Sequence, residues 1–152
     1  MKIIVVSDSH GRYQELQDIA LKNYDATLFL HLGDYELPDY LLHSYTCVRG
    51  NCDFSIDAPL KRDLDYPFGR IHMEHGNYID YHNFSKYIAN THSFIFLFGH
   101  THEKFFKKIN DTYVFNPGSI SRPRDSDKGS YLIIDINEKT LEVTHRFVDV
   151  DL

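Results

Sequence analysis

The stretch FIFLFGHTHEKFF, residues 94–106, decides how the chain is read. Its first five residues, Phe94 to Phe98, are apolar and read as a buried strand. The run stops at Gly99 and delivers two histidines, His100 and His102, spaced i, i+2. Alternate residues of an extended segment point the same way, so both imidazoles are expected to reach one small volume.

Working outward, the same arrangement recurs. KIIVVS (2–7) runs into Asp8 and His10, ATLFLH (26–31) into Gly33 and Asp34, YTCVRGN (45–51) into Asn51, and GRIHMEHGN (69–77) into His75. Between them, GRYQELQDIALKN (11–23) places Leu16, Ile19 and Ala20 at helical spacing, a short helix is expected near 37–43, and a second helix over 80–91. TYVFNPGS, SYLIIDI and LEVTHRFVDV follow as strands joined by turns. Early strands alternate with helices while late ones do not, which predicts two layers of β-structure with helices outside. In α/β sheets the crevice beyond the carboxyl ends of the strands is the usual ligand site, so five strands deliver one polar cluster to one edge.

The chain has 152 residues, 42% hydrophobic and 25% charged, which fits a single globular domain over 1–152. A net charge of -6 argues against long nucleic acid and anionic membrane as partners. Small phosphoesters stay open, and a homo-oligomer is compatible with the sequence. Met1 and Lys2 lead directly into an apolar strand with no signal-peptide pattern, and no run approaches the roughly 20 apolar residues of a membrane span. A cytoplasmic location is the expectation. Cys47 and Cys52 match no common zinc spacing and are read as free thiols.

The cluster holds two aspartates, four histidines and an asparagine, an oxygen and nitrogen set without thiolate. Such a set suits manganese, iron or zinc, with nickel or cobalt as alternatives. Seven donors exceed the needs of one transition ion. Two ions sharing a carboxylate, about 3.5 to 4 Å apart, would use them all. Taken singly, Asp34 could cap a helix before YELPDYLLH and Asn51 could be a turn residue. Their shared order with the other motifs favours the metal reading. "SDSHGRY" carries no glycine-rich phosphate turn, which speaks against a nucleotide-binding α/β module.

The order Asp-x-His, Gly-Asp, Gly-Asn, His, Gly-His-x-His resembles the calcineurin-like metallophosphoesterases. Within them it is similar to the small bacterial and archaeal phosphodiesterase subfamily that reads Gly-Asn-Cys-Asp. The resemblance runs from Lys2 to about Val148 and includes FNPGS at 115–119. It implies an α/β fold, a four-layer αββα sandwich of two mixed sheets. It also implies two divalent ions, with manganese the first expectation and nickel, iron, zinc, cobalt or magnesium as alternatives. Asp8, His10, Asp34 and His102 would hold the first ion; Asp34, Asn51, His75 and His100 the second. His10, Asp34, Asn51, Cys52 and Asp53 are the expected catalytic residues, and His72 and His82 are the alternatives to His75. Asn116, Gly118 and Ser119 are candidate substrate contacts.

The implied reaction is in-line attack on a phosphodiester by a metal-bound hydroxide. Larger relatives place a proton-donating histidine where this chain has Cys52, so diesters with acidic leaving groups are expected to be preferred. The competing readings are a protein-binding scaffold on the same fold, and a phosphomonoesterase or nuclease.

Overall fold

In the computed structural model, residues 1–54 and 57–151 are described, so Ser55, Ile56 and Leu152 of the expected domain lie outside the described residues. The first sheet is built from β1 (Lys2–Val6), β2 (Leu28–His31), β3 (Thr46–Cys47), β9 (Gly129–Ile136) and β10 (Val143–Val150), in the order β10-β9-β1-β2-β3. The second contains β4 (Lys61–Tyr66), β5 (Gly69–Glu74), β6 (Ile95–Leu97), β7 (Lys104–Ile109) and β8 (Thr112–Pro117), in the order β4-β5-β6-β8-β7. Each sheet contains a parallel run, β1-β2-β3 reaching the edge of one and β5-β6-β8 in the middle of the other, and its remaining strands are antiparallel. The helices are α1 (Tyr13–Lys22) and α2 (Phe84–Ala89).

Side-chain alternation along the central strands explains the layering. Ile3, Val5, Leu30 and Leu32 of the first sheet meet Ile71, Met73, Ile95, Leu97 and Phe115 of the second in one buried core between the sheets. The opposite face of β1, Ile4 and Val6, packs with Leu16 and Ile19 of α1. The opposite face of β6, with Phe96 and Phe98, packs with Ile88 of α2. The result is the four-layer αββα arrangement. Strands buried on both faces read as unbroken apolar runs, which is why β1 and β6 are conspicuous in the sequence.

Three local readings change. β4 and β7 are strands that the sequence reading passed over. Both lie at a sheet edge, and charged residues alternate along β4 while lysines punctuate β7. Charged edges of this kind block pairing with other chains, and they also hide the apolar pattern. The helix expected over 80–91 starts as a 3-10 turn, Tyr81–Asn83, before α2. The helix expected near 37–43 is a 3-10 turn, Asp39–Leu41, preceded by Pro38, so Asp34 is not its cap. No helix among the described residues is long and apolar enough to cross a membrane.

Candidate metal centre

The parallel strands of both sheets end at one edge, and the loops leaving them carry the polar cluster. Asp8 and His10 follow β1, Asp34 follows β2, His75 follows β5, and His100 and His102 follow β6. Asp8 Oδ1 lies 3.1 Å from His102 Nε2, 3.8 Å from His75 Nε2 and 3.9 Å from His10 Nε2. His75 Nε2 is also 3.3 Å from Asp34 Oδ2 and 3.3 Å from His100 Nδ1. One donor atom from each of Asp8, His10 and His102 falls within 4.8 Å of the others, and so do those of Asp8, Asp34 and His75. In this geometry Asp8 is common to both sets, while the family resemblance puts the shared carboxylate at Asp34.

The i, i+2 pairs are not aimed by extended backbone as the sequence suggested. Asp8, His10, Asp34, His100 and His102 all have positive φ, between 43° and 71°. For residues with a Cβ this region is sparsely populated, though Asp and His enter it more readily than most, and such conformations concentrate at functional sites.

Asp8 Oδ1 and His10 Nε2 are buried side-chain atoms without a hydrogen-bond partner. Leaving such groups unsatisfied costs about 1 to 3 kcal/mol each. A carboxylate oxygen surrounded by imidazole nitrogens is a donor set for a divalent cation that accepts oxygen and nitrogen, so the residues fit such an ion. The charges agree. Burial alone would raise the carboxyl of Asp8, but His102, His75 and Ser7 outweigh it and hold the group below the usual carboxylate range. Asp34 is likewise pulled down to about 2 by His75 and the Cys52 N–H against the effect of burial. Both stay ionised at neutral pH.

The backbone orients the imidazoles. Nδ1–H of His75 donates to the Leu32 carbonyl at 2.8 Å and Nδ1–H of His102 to the Arg122 carbonyl at 2.7 Å, leaving each Nε2 toward Asp8. Locking the remote nitrogen in this way fixes tautomer and ring orientation, as in metal sites generally. His31, fully buried at the end of β2, clasps two site loops. Its Nε2–H donates to Ser9 Oγ at 2.8 Å and its Nδ1 accepts from Gly33 N–H at 3.0 Å. Burial pushes His31 down to about 3, despite Asp8 and Asp34 nearby.

Unfolded, His31 would titrate near its ordinary 6.5. Between about 3 and 6.5 the unfolded chain therefore binds the extra proton, and stability falls as pH falls through that window, by up to about 1.4 kcal/mol per pH unit. Urea denaturation at pH 7 and pH 5 should show a loss that shrinks by roughly 2 kcal/mol in His31→Gln. An unchanged pH difference would exclude His31 as its source.

The Asn51-Cys52-Asp53 segment is held against Asp34. Cys52 N–H donates to Asp34 Oδ1 at 2.8 Å, and the Asp53 carboxylate accepts from the N–H groups of Asp34, Gly50 and Glu36 at 2.8, 2.8 and 2.9 Å. Asp53 therefore pins two loops together. Asn51 stands exposed beside them, its amide donating to Cys52 Sγ at 3.5 Å. Gly33 and Gly50 let these loops touch: a Cβ on Gly33 would lie 2.6 Å from Gly50 N, and one on Gly50 2.5 Å from Asp34 N.

The Asn116, Gly118 and Ser119 loop is not placed to touch a substrate. Asn116 and Ser119 are fully buried. The Asn116 amide donates to the Gly99 carbonyl and Thr101 Oγ1, and its oxygen accepts from Gly118 N–H. Ser119 Oγ donates to the Asp8 carbonyl and accepts from the N–H groups of Ser121 and Arg122. The loop is the scaffold under Asp8 and the His100–His102 turn.

Glu36 was missed. Its Oε1 accepts from His10 Nδ1–H at 2.5 Å, and its own backbone has φ of 51°. An acidic residue two positions after Asp34 is the signal that was available. His72 is turned away from the cluster, its ring nitrogens taken by Asp63 and Glu74 at 2.7 and 2.6 Å. His82 lies in the turn before α2, its N–H donating to Asp80. Among the three candidates, His75 is the one at the cluster.

Comparison with known proteins places this geometry. The profile of the calcineurin-like phosphoesterase superfamily domain matches residues 1–139. The chain is 31% identical over 159 aligned positions to a Bacillus subtilis (strain 168) protein named probable metallophosphoesterase YsnB, covering 98% of this chain and 91% of the relative. It is 29% identical over 104 positions to the phosphodiesterase YfcE of Escherichia coli K12, covering 61% of this chain and 53% of that one. A solved structure from Streptococcus pneumoniae TIGR4, described as a predicted phosphoesterase, matches with a TM-score of 0.81 at 25% identity and covers 97% of each chain. With its αββα layering and its strand-end carboxylates and imidazoles, the chain belongs to the calcineurin-like phosphoesterase superfamily.

Proposed function

We propose that the protein is a dinuclear metal-dependent phosphodiesterase acting on small diesters, with manganese the first candidate ion. The observation that carries this reading is Asp8 Oδ1, buried, without a hydrogen-bond partner, and within 3.9 Å of three imidazole Nε2 atoms. Asp8, His10, Asp34 and His102 would hold one ion, and Asp34, Asn51, His75 and His100 the other. Bound there, divalent ions supply Lewis acidity toward phosphoryl oxygens and lower the pKa of water into the neutral range.

The chain's own residues prepare that chemistry. Leu32 and Arg122 carbonyls present His75 and His102 as ligands through Nε2. Glu36 does the same for His10. Cys52 occupies the position at which the family resemblance gives larger relatives a proton-donating histidine. Burial and the neighbouring Asp34, Glu36 and Asp53 charges push its thiol up to about 11. A thiol lacks the second ring nitrogen by which a histidine is oriented as a proton donor, which favours leaving groups that need no protonation.

Metal-stripped protein restored with manganese, nickel, zinc or magnesium should hydrolyse bis(p-nitrophenyl) phosphate faster than p-nitrophenyl phosphate. His102→Ala should lower the diester rate by at least about a hundredfold. Metal bound in calorimetry without turnover on any ion would overturn the hydrolase reading and leave a binding scaffold.

A further inference from the structure

We infer that the groove between residues 36–39 and Phe54 is a subsite for a flat, uncharged aromatic substituent of the phosphoester, an inference that rests on the phosphodiesterase reading above. The groove opens to solvent, has a volume of about 480 Å³ and is lined by Glu36, Leu37, Pro38, Asp39 and Phe54. That volume lies within the range of small-ligand sites, about 300 to 1,000 Å³.

An isolated exposed ring on a protein surface needs no explanation. Phe54 is different in its footing. It is 96% exposed, yet it follows directly on Asp53, whose carboxylate accepts the N–H groups of Asp34, Glu36 and Gly50. Asp53 thus ties the residue before Phe54 to the backbone of Glu36, which lines the groove with it. The groove adjoins the candidate metal centre through Glu36, which lines it and also receives His10 Nδ1–H at 2.5 Å. A phosphoryl group at the cluster would direct an attached group along this channel.

The lining selects the chemistry of that group. Phe54, Leu37 and Pro38 offer apolar faces on which a ring can stack or pack. Glu36 and Asp39 at the polar margin repel a second anion and accept hydrogen bonds from ring amines. An aryl ester and a nucleobase share the required features.

The test uses manganese-loaded protein and calorimetric titration with phenylphosphonate and methylphosphonate, neither of which has an ester bond to hydrolyse. Phenylphosphonate should bind about tenfold more tightly, in line with aromatic stacking of a single ring. Phe54→Ala should erase that preference without changing methylphosphonate affinity, and Phe54→Tyr should restore it. A parallel pair, adenosine 5′-monophosphate and ribose 5-phosphate, identifies the source: a preference lost in Phe54→Ala makes the ring a nucleobase, and its absence beside a phenyl preference makes it a simple aryl group. Equal binding within both pairs, or a preference that survives Phe54→Ala, overturns the subsite alone. Failure of both phosphonates to bind overturns it together with the phosphodiesterase reading.

Discussion

Asp8→Asn should lower metal-dependent diester hydrolysis about a thousandfold while leaving the metal-free protein folded, with a small loss of stability from the imidazoles that the carboxylate no longer faces. The two halves of this expectation have different causes. Asp8 Oδ2 is a structural acceptor, taking Ser7 Oγ–H at 2.5 Å and His100 N–H at 3.1 Å, and an amide oxygen can keep both bonds. Oδ1 has no such bond to lose, and an NH₂ in its place can donate to an imidazole Nε2. What disappears is the anionic oxygen common to both donor sets. An ion at a thousand times its dissociation constant adds about 4 kcal/mol to folding stability. For a domain of this size that is a rise of about 10 °C in Tm. Thermal melts with and without manganese should show this rise in the parent and none in Asp8→Asn. A variant that keeps the full rise would remove Asp8 from the ligand set.

Gly50→Ala should cost about 3 kcal/mol of stability and reduce activity by a further one to two orders of magnitude. The added methyl would sit 2.2 Å from Asp34 Oδ1 and 2.5 Å from Asp34 N. A flexible side chain could swing clear, but a backbone nitrogen cannot without moving the loop. The loop opposite offers no room either, because Gly33 is itself the near neighbour of Gly50. Relief must come from shifting Asp34 or the Asn51-Cys52-Asp53 segment, and both belong to the centre. Urea denaturation gives the first number and diester kinetics the second. A parental midpoint and rate would mean that the loops separate easily, against the fixed contact described here.

The sequence disclosed what burial on two faces makes obvious. β1 and β6 are apolar at consecutive positions because one face packs on the opposing sheet and the other on a helix. Their ends, and so Asp8, His10, His100 and His102, could be located from the point where the run breaks. Edge strands gave no such signal, since β4 alternates Lys61, Asp63 and Asp65 with partly buried neighbours. Within the site, the types of residue were legible and their aim was not. Positive φ at Asp8, His10, Asp34, His100 and His102 depends on bonds from distant segments, such as His100 N–H to Asp8 Oδ2 and His10 N–H to the Asp34 carbonyl. Glu36 escaped for the same reason. Only the folded loops bring it to His10 across 26 positions of sequence. The reverse holds for Asn116 and Ser119, whose polar groups suggested a ligand and are consumed by bonds within the protein.

The parallel strands that end at one edge also divide the molecule's capacity for change. Asp8, Asp34, His75, His100 and His102 stand within a few residues of strands locked into two packed sheets. Leu37, Pro38, Asp39 and Phe54 stand farther out, where the chain runs between strands and is largely exposed. Exposed connections accept substitutions and insertions that strands do not. Descendants of this chain could therefore exchange one ester for another by rewriting the outer loops, while the ion-holding strand ends pass through unaltered.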